Sequence, residues 1–157
     1  MKLSWVVLFG VAMVGCGHES SSVDFAESFL GDWACSSGQR EIDCVQGADK
    51  FDIVSPRPDV MRFERGTATD LVLQVPSRVL VPGLPGGPTC QLEFDAYPDV
   101  AFLHAESTCR DDHGERVVVA HGEANNSWRP GLVYLDTDST TIDGCRVRTS
   151  ANCYAQQ

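Results

Sequence analysis

Cys90-Gln91-Leu92-Glu93-Phe94-Asp95-Ala96 alternates apolar and polar side chains without a break. On an extended backbone successive side chains point to opposite faces, so Cys90, Leu92, Phe94 and Ala96 share one face and Gln91, Glu93 and Asp95 the other. That pattern is a strand with one side in a core and one in water. Residues 70–75 repeat it, with Leu71, Leu73 and Val75 together. Working outward, further apolar and β-branched runs lie near 32–36, 42–45, 50–54, 59–65, 101–109, 116–122, 131–136 and 145–149. Turn chemistry separates them, as in Ser37-Gly38, Ser55-Pro56-Arg57-Pro58, Tyr97-Pro98-Asp99, His113-Gly114 and Asp143-Gly144. The one short helical candidate is 24–29, where Asp24 caps and Phe25 and Phe29 share a face. Many short strands at regular spacing predict an all-β fold, an antiparallel barrel or sandwich.

Composition bounds the rest. The chain has 157 residues, enough for one domain with a real core and little more. Its 22 acidic and 12 basic side chains give a net charge of −10. A nucleic-acid partner is excluded on that balance, because phosphate binding needs clustered Lys and Arg. At 43% hydrophobic and 22% charged residues the chain is neither disordered nor an integral membrane protein.

The N-terminus reads separately. Lys2 precedes an almost uncharged apolar stretch, 3–14, far short of the ~20 residues a membrane-crossing helix needs. A segment of that kind predicts a secretion signal over 1–15. Its end, Met13-Val14-Gly15-Cys16, resembles the lipobox of bacterial lipoproteins, with Met13 where Leu is usual. The resemblance implies that Cys16 is diacylated, the signal removed and the new N-terminus acylated, so lipid anchors the chain without a spanning helix. Residues 16–23 are then lipidated cysteine and flexible tether, and 24–157 the β domain. Gly17 stands where an Asp favours inner-membrane retention, so the lipoprotein rule places the anchor in the outer membrane. Cysteine arithmetic supports the same division on independent grounds. Seven is odd; with Cys16 set aside, Cys35, Cys44, Cys90, Cys109, Cys145 and Cys153 can pair fully in an oxidising compartment.

Six cysteines permit fifteen pairings. Hairpin register favours three local bridges: Cys35–Cys44, Cys90–Cys109 and Cys145–Cys153. The middle one centres a hairpin between Asp99 and Val100, placing Phe94 opposite Ala105, Ala96 opposite Leu103 and Asp95 opposite His104, with Tyr97 opposite Phe102.

The stretch Phe25-x-x-x-Phe29-Leu30-Gly31-Asp32-Trp33 resembles the start of the first strand in lipocalins and fatty-acid-binding proteins. The resemblance implies an up-and-down barrel of eight to ten strands with an apolar ligand site at its open mouth. Gly31 would let the chain bend into the barrel, Trp33 would plug the closed end, and Arg146 or Arg148 would pack over the tryptophan.

Catalytic signatures are missing. There is no nucleophile elbow, phosphate loop or paired-cysteine zinc spacing, so the expectation is no enzyme, no cofactor and no metal. Asp136-x-Asp138-x-Thr140 opens like a calcium loop, but Thr141 and Val147 occupy the positions that need Gly and Glu, leaving a solvated acidic turn. The repeated triplet His113-Gly114-Glu115 and His121-Gly122-Glu123 is explained by glycine-bordered strand ends. Pro82-Gly83-Leu84-Pro85-Gly86-Gly87-Pro88 is a long exposed loop, a connector or a lid or partner-contact segment. The sequence therefore points to a non-enzymatic envelope lipoprotein whose β domain binds an apolar small molecule or lipid. The alternative is a structural or interaction component of an outer-membrane protein complex for secretion, motility or surface assembly.

Overall fold

The computed structural model describes residues 24–44, 47–80, 88–110, 114, 116–142 and 144–156. Cys16 with its signal and tether, residues 82–87 of the Pro/Gly loop, His113, Glu115 and Asp143 lie outside the described residues. A 3-10 turn, Phe25–Ser28, leads in, capped by Asp24, whose Oδ1 accepts from the Ala26 N–H at 3.1 Å. The strands that follow are β1 (Gly31–Cys44), β2 (Gly47–Arg65), β3 (Leu71–Pro76), β4 (Thr89–Ala96), β5 (Val100–Leu103), β6 (Ser107–Arg110), β7 (Arg116–Asn125), β8 (Leu132–Thr141) and β9 (Arg146–Ala155). One helical turn, α1 (Ser77–Leu80), separates β3 from β4.

Every pairing is antiparallel, and the first strand pairs the last. Both β5 and β6 pair with β7, through 123–125 and 116–119 respectively, while β5 also pairs β4. Together β5 and β6 make one stave broken at 104–106, so the nine segments close an eight-strand antiparallel barrel. Closure leaves no long edge for another chain to pair with.

The alternating stretches behave as read. Leu71, Leu73, Val75, Cys90, Leu92 and Phe94 are all buried. Phe63 sits edge-on between Phe29 and Phe94, with ring centroids 5.9 Å apart in both pairs. Met61 packs in the same core.

Three local expectations change. The runs 32–36 and 42–45 fuse into β1, and 50–54 and 59–65 fuse into β2. Ser37-Gly38 is therefore no turn: a Cβ on Gly38 would lie 2.0 Å from the Ser150 carbonyl oxygen, so this glycine permits a close crossing of β1 and β9. The Pro56/Pro58 segment is an irregularity in β2, not a turn between strands. Ser36 alone on β1 stands against residues 55–58 on β2, which puts the two prolines where the ladder already fails.

The β4–β5 hairpin keeps its faces but shifts by two residues. Phe94 pairs with Leu103 and Ala96 with Ala101, because the Tyr97 N–H closes the turn on the Val100 carbonyl at 2.8 Å. The break at 104–106 restores the two residues, and Cys109 returns to Cys90. Asp95 and His104 still meet, Oδ2 to Nδ1 at 2.8 Å. That hydrogen bond, then the Asp95 and Glu93 charges, hold the imidazole pKa above its ordinary value. A raised folded pKa means the pair stabilises fully below the unfolded value, and its contribution is lost as pH rises through the folded one. An NMR titration should show a His104 midpoint above that of a free imidazole, moving down in Asp95→Asn.

The remaining bridges correct the local pairing. Cys35 joins Cys153 and Cys44 joins Cys145, across sequence separations of 118 and 101. The cause is the length of β1: Cys35 and Cys44 lie nine residues apart along one continuous strand, roughly 30 Å, and Cys145 and Cys153 are likewise held apart along β9. Their partners are across the β1–β9 seam, where Cys35 is in register with Cys153. Two disulfides thus rivet the strand pair that closes the barrel.

Candidate functional site

The interior has two unlike ends. At the end where β1 starts, Gly31 takes φ of +115°, a conformation reserved in practice for glycine, and swings the chain from the 3-10 turn into the barrel. Trp33 is buried there and its Nε1–H donates to the Phe29 carbonyl at 2.7 Å. Asn126 of the β7–β8 loop donates to Ser28 Oγ at 2.7 Å, and Arg65 reaches Asp24 and Glu27 at 2.5 and 2.8 Å. The entry segment is laced across this end, which is closed and filled with apolar side chains. Two expectations need correction. Phe25 is exposed, and Ala26 and Phe29 are the buried residues of this turn, because the tighter 3-10 winding rotates the face. Neither Arg146 nor Arg148 covers Trp33: in the ladder Trp33 faces Ala155, while Arg148 stands opposite Glu41 towards the far end.

Towards that far end the interior turns polar. Gly122, Thr137, Thr149 and Arg40 form one inward row in register across β7, β8, β9 and β1. The next row outward is Val119, Ser139, Val147 and Ile42. Sequence reading passed over Arg40, and the signal was weak: the bulge at Ser36 reverses the parity of β1, so Arg40 points in where uninterrupted alternation from Trp33 would send it out.

Arg40 has a defined task. Its Nη2 donates to the carbonyls of Arg78 and Val79 at 2.8 and 3.0 Å, and its Nε to Thr149 Oγ1 at 3.3 Å. Thr149 Oγ1 donates onward to the Leu80 carbonyl at 3.2 Å. The last carbonyls of α1, which no helix continues to satisfy, are met by a cation and its relay. Arg78 Nε meets Asp59 Oδ1 at 2.6 Å from the other side. Burial lowers the Arg40 pKa, and the Asp59 charge opposes that. With Val79 and Leu80 buried, α1 is a plug held in the mouth. Arg40→Leu should cost about 3 kcal/mol in urea unfolding, since hydrogen bonds from a charged donor are lost and their acceptors stay buried. Protease cleavage near α1 should rise in parallel.

Two hydroxyls in these rows are left over. Thr137 Oγ1 and Ser139 Oγ are buried and have no hydrogen-bond partner among the described residues. A buried orphan hydroxyl costs about 1–3 kcal/mol, so such a pair marks either a defect or a place for a guest.

The acidic motif is not a turn: Asp136, Asp138 and Thr140 lie on β8. Arg146 Nε binds the two carboxylate oxygens of Asp138 at 2.9 Å each and, first among the causes, lowers its pKa. His121 and Glu123 lie within β7 beside the bulge at Ala120, not at a strand end. No group of three metal-ligating side chains occurs among the described residues.

No protein-family model and no curated protein matches the chain. Among solved structures, a redesigned beta barrel aligns with 88% of this chain and 100% of its own, at 15% identity and a TM-score of 0.32.

Proposed function

We propose that the chain is a non-enzymatic lipoprotein of the cell envelope, held to the outer membrane through Cys16, whose lipocalin-like barrel takes up an apolar small molecule or lipid. The anchor reading rests on Met13-Val14-Gly15-Cys16 and on the odd cysteine, since the other six are bridged. The lipocalin-like reading is supported by the Gly31 bend and the Trp33 plug.

One observation carries the ligand: the hydroxyls of Thr137 and Ser139, partnerless among the described residues and buried beneath the α1 plug at the end opposite Trp33. A guest with a polar group and an apolar body matches that end, its polar group between the hydroxyls and its body against Val117, Val119 and Val147. Native mass spectrometry of protein purified from membranes tests this. A co-purifying small molecule, lost in the Thr137→Val/Ser139→Ala variant, is the expected result. The double variant itself should be no less stable, because it removes two groups that have nothing to bond. A mass without guest would contradict the reading.

A further inference from the structure

The outer wall of the closed end carries a feature the interior does not need. Val60, Ala34, Tyr154 and Leu132 stand in register across β2, β1, β9 and β8, one apolar side chain per strand. Val60 and Tyr154 are exposed and Leu132 partly so, while Ala34 between Val60 and Tyr154 is buried. Two residues along β8, Tyr134 stacks in parallel on Trp128, ring centroids 5.9 Å apart, and Trp128 itself is 74% exposed. Arg129 follows it, also exposed. At the same end Tyr97 and Phe102 form an edge-to-face pair, and Phe25 is exposed. Exposed aromatic and aliphatic side chains gathered at one end of a barrel mark a contact surface.

The chain's own course indicates what it contacts. The described residues begin at Asp24, at this end of the barrel, eight residues after Cys16. A chain of that length spans at most about 28 Å, so a lipid on Cys16 keeps the bilayer within reach of this wall. Exposed Trp and Tyr are the residue types that settle at headgroup depth, and a neighbouring Arg can extend its cation to the phosphates. The net charge of −10 opposes adsorption to acidic lipid, which leaves a neutral interface as the occupant.

We propose that the Val60–Tyr154–Trp128 wall is the face on which the anchored domain rests, seated in the headgroup region of a zwitterionic bilayer. This rests on the Cys16 anchor proposed above. Mature protein purified from membranes and reconstituted into phosphatidylcholine vesicles brominated near the headgroup provides the test. Trp33 is sealed in the core, so the difference between native emission and that of Trp128→Ala isolates Trp128. At least half of that difference should be quenched, and Tyr154→Ser should weaken the quenching. The Trp128→Ala change lies on an exposed loop, and unchanged Trp33 emission verifies its fold. Fatty-acid labelling of the same sample scores the anchor separately. Label with unquenched Trp128 overturns the docking and leaves the anchor standing; quenching without label does the reverse. An unquenched Trp128 in a species sedimenting as two copies, or cross-linked to another protein, gives the wall to that partner and overturns the proposal.

Discussion

Removing both the Cys35–Cys153 and the Cys44–Cys145 bridge by alanine substitution is expected to cost about 8 kcal/mol, more than the two single removals together. The bridges are nested, the inner closing a loop of 101 residues and the outer one of 118. With one intact, the other adds only the closure of a small ring made by the ends of β1 and β9. Each single removal should therefore cost about 3 kcal/mol. Taking both away releases a loop that spans most of the domain. A domain stable by 5–15 kcal/mol would be near or past its limit. Urea unfolding of the two single-bridge variants and the combined one measures this. Local bridges would behave differently: two independent short loops, each worth about 2.5 kcal/mol, adding without excess.

Phe63→Ala should cost about 4 kcal/mol, the loss expected when a fully buried aromatic is cut back and the surroundings cannot collapse. Phe63 is the middle ring of three, touching Phe29 and Phe94 edge-on, so its removal breaks both aromatic contacts. Neighbours on rigid, hydrogen-bonded staves have little freedom to move in. Phe63→Leu keeps most of the volume and should lose under half as much. Phe102→Ala, half-exposed on the outer wall, should change stability by less than about 1 kcal/mol. Urea midpoints should shift in that order with an unchanged slope.

Much of the barrel was legible because its devices are local. Period-two alternation in 70–75 and 90–96 needs only neighbouring residues, and both stretches face the core as read. The roles of Gly31 and Trp33 were expected from a family resemblance, carried by Phe25-x-x-x-Phe29-Leu30-Gly31-Asp32-Trp33. What escaped depends on partners far along the chain. Whether Cys35 pairs with Cys44 or Cys153 turns on β1 running unbroken through Gly38, and nothing near Gly38 announces that Ser150 passes against it. The inward turn of Arg40 follows from a bulge at Ser36, opposite residues 55–58 of the neighbouring strand. The plug α1 is four residues long, too short for any periodicity to reveal.

The intact mass of protein purified from membranes under non-reducing conditions bears most directly on the proposal of a lipid-anchored, disulfide-closed barrel. Such a barrel predicts a chain that begins at Cys16, carries three acyl groups and offers no thiol to an alkylating reagent. A chain that retains residues 1–15, or one whose cysteines react, would contradict it.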